Sequence, residues 1–135
     1  MASVIKTFLP STRCKISNEM RAFLINLLGK KPVTSTLLYS GHLHGWKFED
    51  FHSRCDSKGR TVSLFQIEQG DCIGGYTSQC WESMGKYRAD SSAFLFNLTR
   101  SLHFPSNATG RDIYCSSSSG PNFDGGNGCE LAAYD

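Results

Sequence analysis

Residues 61–77 read TVSLFQIEQGDCIGGYT, two strand-like runs joined by a short polar link. The first run spans Thr61 to Ile67 and the second spans Cys72 to Thr77, and both are rich in β-branched and aromatic residues that favour strands. Gln69-Gly70-Asp71 is typical of a turn, so the two runs are predicted to form an antiparallel hairpin. Gly74-Gly75 inside the second run indicates a bulge or a close approach to the backbone.

The chain beyond this hairpin contains further strand candidates without a helix between them. Ala93 to Leu98 is the most apolar run and is predicted to lie in the centre of a sheet. Shorter strands are predicted from Asp112 to Cys115 and from Glu130 to Tyr134. Polar composition predicts loops for Ser78 to Asp90 and for the Ser- and Gly-rich stretch from Ser116 to Gly128.

The chain before the hairpin begins with an amphipathic helix. Ser17 is a good N-cap, and Gly29 is well placed to end the helix. The apolar stripe between them has helical spacing and consists of Met20, Phe23, Leu24, Leu27 and Leu28.

The segment between this helix and the hairpin is predicted to contain a strand, a loop and a second helix. Ser35 to Ser40 is apolar enough for a short buried strand, and Gly41 to Gly45 is predicted to be a loop. Phe48, Phe51 and Cys55 share one face of a helix predicted from about Lys47 to Cys55.

The order of these elements predicts the fold class. Several strands follow one another without a helical crossover, so antiparallel pairing is expected and the class is α+β. The length of 135 residues suits one domain. We expect an N-terminal arm over residues 1–15 and the domain over residues 16–135.

Composition and charge disfavour several functions. The net charge is only +2, and no basic cluster of the kind that binds nucleic acid is present. No apolar run approaches the roughly 18 residues of a membrane span, and residues 1–10 do not resemble a secretory signal. We therefore expect a cytoplasmic protein whose six cysteines are reduced thiols.

Two sets of residues deserve weighing as catalytic or metal sites. His42 and His44 with His52 and Cys55 imitate a zinc set, but the sequence has no Cys-x-x-Cys pair. Cys80-Trp81 with His103 downstream has some likeness to a papain-type nucleophile and base, but the residues before Cys80 and the spacing to His103 do not match that pattern.

Two further sets involve the Gly-rich end of the chain. Gly120 to Gly128 lacks the Gly-Lys-Ser/Thr ending of a phosphate-binding loop. Asp124, Asn127, Glu130 and Asp135 do not have the spacing of an EF-hand calcium loop. We assign no catalytic, cofactor-binding or metal-ligating residue and expect no cofactor.

An ordered set of short motifs resembles the TLDc domain family over roughly residues 17–135. Each motif is unspecific alone, and the order carries the resemblance. The motifs are Leu37-Leu38-Tyr39, Gly45-Trp46, Phe51-His52, Cys55-Asp56, Lys58-Gly59, Gly74-Gly75-Tyr76-Thr77, Trp81, Asp90, Ala93-Phe94-Leu95-Phe96, Leu98, Gly120-Pro121, Phe123, Gly125-Gly126 and Glu130-Leu131.

The resemblance implies two antiparallel β-sheets packed as a sandwich with flanking helices. It implies a non-catalytic protein-interaction module that binds and regulates the vacuolar proton-pumping ATPase and is linked to oxidative-stress resistance. The alternatives are a structural adaptor in a cytoskeletal or other large assembly and a thiol-dependent enzyme.

This chain departs from the family pattern at its C-terminal end. TLDc domains usually continue past the Gly-rich segment, whereas this chain ends at Asp135. C-terminal strands of the family domain are therefore expected to be missing, which would leave a sheet edge open to strand pairing with a partner.

Large apolar side chains within these motifs are expected to form the structural core. Truncation of any buried one should destabilise the fold. The expected core residues are Leu24, Leu38, Trp46, Phe48, Phe51, Trp81, Phe94 and Phe96.

Overall fold

The computed structural model of the chain describes residues 15–29, 35–106, 111–116, 122–124 and 130–132. Apart from Lys15, the predicted N-terminal arm lies outside the described residues. Most of the predicted loop from Ser116 to Gly128 also lies outside the described residues. So do residues 133–135, which include the end of the predicted last strand and the C-terminal end where an open sheet edge was expected.

The described residues of the N-terminal half contain three helices. Helix α1 spans Asn18–Leu27, α2 spans Gly41–His44 and α3 spans Phe48–Cys55. The backbone N–H of Met20 donates a 3.1 Å hydrogen bond to Ser17 Oγ, which confirms Ser17 as the N-cap of α1. After this helix the chain turns at Gly29, whose φ of 97° is readily adopted only by glycine.

Eight strands form antiparallel pairs among the described residues. Strands β1, β2, β4 and β5 make a four-stranded sheet in the order β1-β2-β4-β5, while β3 pairs with β6 and β7 pairs with β8. The predicted α+β class with antiparallel sheets and short helices is confirmed. The strands are β1 Thr61–Gln66, β2 Cys72–Thr77, β3 Met84–Arg88, β4 Phe94–Asn97, β5 Leu102–Pro105, β6 Ile113–Ser116, β7 Asn122–Asp124 and β8 Glu130–Ala132.

The predicted hairpin is present with an unbroken register from Thr61 opposite Thr77 to Gln66 opposite Cys72. Gly70 makes the turn with a φ of 99°. The apolar run around Phe94 is an inner strand, between β2 and β5. Both edges of this strand are therefore paired.

Several local predictions were wrong. Residues 35–40 form no strand, and the predicted loop from Gly41 to Gly45 contains α2. The predicted loop from Ser78 to Asp90 contains β3, whose side chains are mostly exposed and therefore show no alternation of apolar and polar residues. Strand β5, likewise exposed, was not predicted.

The first core cluster lies between α1 and one face of the four-stranded sheet. Leu24 of the helix is fully buried there and packs with Phe94 and Phe96 from β4. Cys72 and Leu98 complete the buried part of the cluster. This face therefore buries the apolar stripe of α1, as an amphipathic helix requires.

The second core cluster contains residues from helix α3 and from the smaller sheets. Its buried members are Phe51, Cys55, Trp81, Ile113, Cys115 and Phe123. Leu95 packs against this cluster, although its neighbours Phe94 and Phe96 in β4 belong to the first cluster. Because successive side chains of a strand point to opposite faces, β4 links the two clusters through the sheet.

The structure buries five of the eight side chains expected in the core: Leu24, Phe51, Trp81, Phe94 and Phe96. Leu38 and Phe48 are half-buried. Trp46 was wrongly placed in the core, because 57% of its surface is exposed. Its ring covers the backbone of Gly41 and meets the His42 ring edge-on with 5.1 Å between centroids, so it packs on its own loop.

Gly74-Gly75 allows aromatic rings to approach β2 from two neighbours. A Cβ atom on Gly74 would lie 2.0 Å from the backbone carbonyl oxygen of Ser63 and 2.7 Å from the ring of Phe96, and one on Gly75 would lie 2.7 Å from the ring of Phe123. Those rings belong to different core clusters. The predicted close approach is therefore the reason for both glycines.

Substitution Gly75→Ala should destabilise the protein by about 1–3 kcal/mol, because the added methyl group overpacks against Phe123. Urea unfolding followed by circular dichroism would measure the cost. The double variant Gly75→Ala/Phe123→Ala is the control, since removing the ring removes the clash and the two costs should not add. Simple additivity would show that Phe123 does not restrict this position.

Candidate interaction groove

An open groove of about 510 Å³ lies along β3. Tyr87 and Met84 of this strand are 42% and 58% exposed, respectively. The groove is lined by Gln79, Glu82, Met84, Lys86, Tyr87, Arg88, Ala89 and Cys115. We call it the β3 groove.

Aromatic and arginine side chains form its rim. The Tyr87 ring packs against the Tyr114 ring of β6, with 4.7 Å between centroids. The Arg111 guanidinium lies 4.3 Å from the centre of the Tyr87 ring, and its Nη2 donates a 2.9 Å hydrogen bond to the Tyr87 hydroxyl. These contacts hold Tyr87 in one orientation while leaving its surface accessible.

The charge of the β3 groove is positive. Lys86, Arg88 and the adjacent Arg111 supply three cations, and Glu82 is the acidic residue among the lining side chains. Glu82 forms an ion pair with Arg88. Lys86 adds a further positive charge to the lining, which would attract an acidic partner segment.

A buried carboxylate anchors the backbone at the end of β3. Asp90 accepts hydrogen bonds from the Thr77 hydroxyl at 2.6 Å, from the Ser78 N–H at 2.6 Å and from the Ser92 hydroxyl at 2.7 Å. Its own N–H donates to Asp112 Oδ2 at 2.8 Å. These bonds join the end of β2, the start of β4 and the segment before β6.

The hydrogen bonds also determine the ionisation of Asp90. Burial by itself would raise the pKa of this carboxyl, but the hydrogen bonds from Thr77, Ser92 and Ser78 outweigh burial and hold the pKa below its usual range. Asp90 is therefore a carboxylate at neutral pH, and both of its oxygens accept hydrogen bonds from donors of the chain itself.

Two other surfaces expose large apolar side chains. One carries Leu43 and Trp46 around α2, and the other carries Leu102 and Phe104 on β5. The β3 groove differs from both because it combines a concave shape with Tyr, Met and Arg side chains, the types enriched at protein interfaces.

Two buried thiols have environments that do not favour nucleophilic chemistry. Burial, together with the Asp56 carboxylate, raises the pKa of the Cys55 thiol to about 12, and burial raises the pKa of Cys115 to about 11. A nucleophilic cysteine needs the opposite shift.

The structure also separates Cys80 from the histidine considered as its base. His103 lies in β5 with its ring edge-on to Phe94, 6.2 Å between centroids, and Phe94 belongs to the first cluster. The main chain of Cys80 instead contacts Cys115 in the second cluster. The four-stranded sheet lies between the two clusters.

The histidines weighed as metal ligands have other contacts. His52 Nδ1 lies 2.6 Å from Asp56 Oδ1, and Asp56 Oδ2 accepts a 2.8 Å hydrogen bond from the Ser83 hydroxyl. The Asp56 carboxylate therefore bridges His52 and Ser83. His44 Nδ1 accepts a 2.9 Å hydrogen bond from the Ser40 N–H.

Within residues 15–29, 35–106 and the shorter described ranges, no group of three His, Cys, Asp or Glu side chains could hold a metal ion. The Gly-rich segment from Gly120 to Gly128 and the calcium candidates Asn127 and Asp135 lie largely or wholly outside these ranges.

Sequence reasoning missed the β3 groove because its strand was predicted as a loop. None of the residues expected in the core lines it. The signal that could have found it is the pair of strand-forming tyrosines, with Tyr87 between Lys86 and Arg88 and with Tyr114 shortly after Arg111. Their pairing across β3 and β6 joins segments far apart in the chain.

These features define an α+β domain of two antiparallel sheets and short helices, with an exposed groove of interface-like composition. The profile of the TLDc domain family matches residues 10–133. The chain belongs to the TLDc family.

Similar full-length proteins carry the name MTOR-associated protein MEAK7. The chain is 35% identical to the one from Danio rerio over 87 residues, which are 64% of this chain and 19% of that protein. It is 32% identical to the one from Mus musculus over 62 residues, 46% of this chain and 14% of that protein. The chain thus matches less than a fifth of the length of either relative.

No helix in the described part of the chain is both long and apolar enough to cross a membrane.

Proposed function

We propose that this protein is a non-catalytic protein-interaction module of the cytosol and that the β3 groove is its contact surface. The observation that carries the proposal is the exposed Tyr87, held by Tyr114 and Arg111 at the rim of a positively charged groove. Tyr and Arg dominate the binding energy of protein interfaces, and a preorganised side chain loses little entropy on binding.

The partner that fits this groove is an extended acidic segment with apolar side chains. Its carboxylates would face Lys86, and its apolar groups would cover Met84 and Tyr87. Simple strand addition to β3 is disfavoured, because Gly85 introduces an irregular register and Lys86 lies in the exposed edge. Side-chain contacts should therefore carry most of the affinity.

The vacuolar proton-pumping ATPase is the first partner to test, since the TLDc resemblance implies binding and regulation of that pump and a link to oxidative-stress resistance. The name of the relatives adds an MTOR-containing assembly as the second candidate. In the alternative, neither the ATPase nor the MTOR-containing assembly is the partner, and the protein is a structural adaptor in a cytoskeletal or other large assembly. The raised thiol pKa values argue against a thiol-dependent enzyme.

Substitutions in the β3 groove should weaken partner binding without unfolding the protein. Tyr87→Ala is expected to cost about 2 kcal/mol of binding free energy, roughly a thirtyfold rise in Kd. Lys86→Glu should reduce binding further as the salt concentration falls, because the reversed charge then repels an acidic segment more strongly. Capture of ATPase subunits and of MTOR on the immobilised chain, quantified by mass spectrometry, would measure both effects.

Two matched controls lie outside the groove. Lys58→Glu makes the same charge change at an exposed turn, and Trp46→Ala removes an exposed aromatic ring elsewhere. Both should retain the partner, with unchanged thermal melting for all four variants. Equal loss of binding in Lys58→Glu and Lys86→Glu would reject the groove. If cytoskeletal proteins are captured instead, and are lost in Tyr87→Ala and Lys86→Glu but kept in both controls, the adaptor alternative would be supported and the pump rejected as the partner.

A further inference from the structure

Two cysteines that are distant in sequence meet beneath the β3 groove. Cys115 of β6 is fully buried, and its Sγ lies 3.9 Å from the carbonyl oxygen of Cys80, 35 positions away in the chain. Cys80 is half-buried. The Cys115 sulfur therefore contacts the main chain of Cys80, which places the two cysteines side by side.

A small oxidant can reach this pair. Cys80 is half-buried and therefore partly exposed to solvent, and Cys115 lines the β3 groove. The other described thiols have neither feature. Cys72 is fully buried in the first core cluster, on the other side of the four-stranded sheet, and Cys55 is buried without lining the groove.

We propose that Cys80 and Cys115 form an intramolecular disulfide when the protein is exposed to hydrogen peroxide. This inference concerns a modification site and does not depend on the identity of the binding partner. The disulfide would join the turn after β2 to β6 and so restrict the floor of the β3 groove.

The chemistry follows from the exposure of the two thiols. The more accessible Cys80 sulfur, as its thiolate, attacks one peroxide oxygen, the O–O bond breaks, and one water leaves after protonation of the departing oxygen. The resulting sulfenic acid is attacked by the Cys115 sulfur, the S–O bond breaks, and a second water leaves. Two thiols are oxidised to one disulfide, and one peroxide is reduced to two waters.

Cys115 is suited to the second step only. Its buried position raises its thiol pKa to about 11, so it should not react first with peroxide in solution. In the second step, its contact with Cys80 compensates for the low reactivity of the buried thiol, because the sulfenic acid forms on the neighbouring Cys80.

Peptide mapping of the reduced full chain after brief treatment with hydrogen peroxide tests the proposal. Alkylation of the remaining thiols and digestion without reductant should yield a peptide that links Cys80 to Cys115, two hydrogens lighter than its two parts together. Alkylation of these two cysteines should be lost in parallel and restored by a reductant.

Variants make the result specific. Cys80→Ser should abolish the linked peptide and leave Cys115 open to alkylation after denaturation. The double variant Cys14→Ser/Cys129→Ser removes the two cysteines that lie outside the described residues, and it should still form the link. Linkage of Cys80 to any other cysteine, or its oxidation to sulfinic acid while Cys115 stays reduced, would overturn the proposal.

Discussion

Substitution Trp81→Ala should destabilise the protein by about 3–5 kcal/mol, a large part of the roughly 5–15 kcal/mol that stabilises an ordinary domain. Trp81 is only 1% exposed and lies at the centre of the second core cluster. Its ring meets Phe51 and Phe123 edge-on, at centroid distances of 6.0 and 5.4 Å. Truncation would leave a cavity between them.

Trp81 also makes polar contacts that alanine cannot replace. Its Nε1 donates a 2.9 Å hydrogen bond to the Thr61 hydroxyl at the start of β1. Phenylalanine at position 81 should therefore cost less than alanine, since it restores much of the ring volume and loses only this hydrogen bond and part of the packing.

The second tryptophan provides the matched control for this experiment. Trp46 is exposed, so Trp46→Ala should change the free energy of unfolding by no more than about 0.5 kcal/mol. Urea unfolding monitored by circular dichroism would compare the two variants on the same scale. Similar costs at positions 46 and 81 would contradict the burial that the structure assigns to these two residues.

Substitution Asp90→Asn should cost about 3 kcal/mol, although the two side chains have nearly the same shape. Both carboxylate oxygens accept hydrogen bonds, Oδ2 from Thr77 and Ser78 and Oδ1 from Ser78 and Ser92. An amide nitrogen in place of either oxygen would face N–H and O–H donors. The variant therefore loses an acceptor oxygen, and the donors that faced this oxygen lose their hydrogen bonds to it.

The same substitution should change how stability depends on pH. The pKa of Asp90 is lower in the folded protein than the value of about 3.9 in an unfolded chain. Its contribution to stability is therefore complete above the unfolded pKa and is lost as pH falls through the folded pKa. Below pH ~4, the wild-type protein should lose stability more steeply than Asp90→Asn.

Unfolding curves from pH 2 to 7 would check this expectation, with Glu68→Gln at an exposed position as the control. Glu68→Gln should follow the wild-type curve. Asp71 contributes to the same acid loss, because hydrogen bonds from Asn97 and Arg100 lower its pKa, so the Asp90→Asn curve should become shallower without becoming flat. Parallel curves for wild type and Asp90→Asn would contradict the lowered pKa of Asp90.

The sequence predicted the elements whose signal is local and strong. Helix α1 has a capping serine and an apolar stripe, and the β1–β2 hairpin has two strand-forming runs around Gly70. The failures lie where the signal is weak. Strands β3 and β5 are mostly exposed, so their sequences carry little apolar alternation, and Trp46 is apolar but packs only on its own loop.

The order of its motifs by itself determined the α+β class and the TLDc family of this protein, because strand and helix propensities and turn glycines act over a few neighbouring residues. Only the tertiary structure decided that Tyr87 meets Tyr114 and Arg111, that Asp90 is surrounded by hydroxyl and amide donors, and that Cys115 lies beside Cys80. These contacts join residues up to 35 positions apart. They depend on how the sheets pack, which no local pattern of residue types encodes.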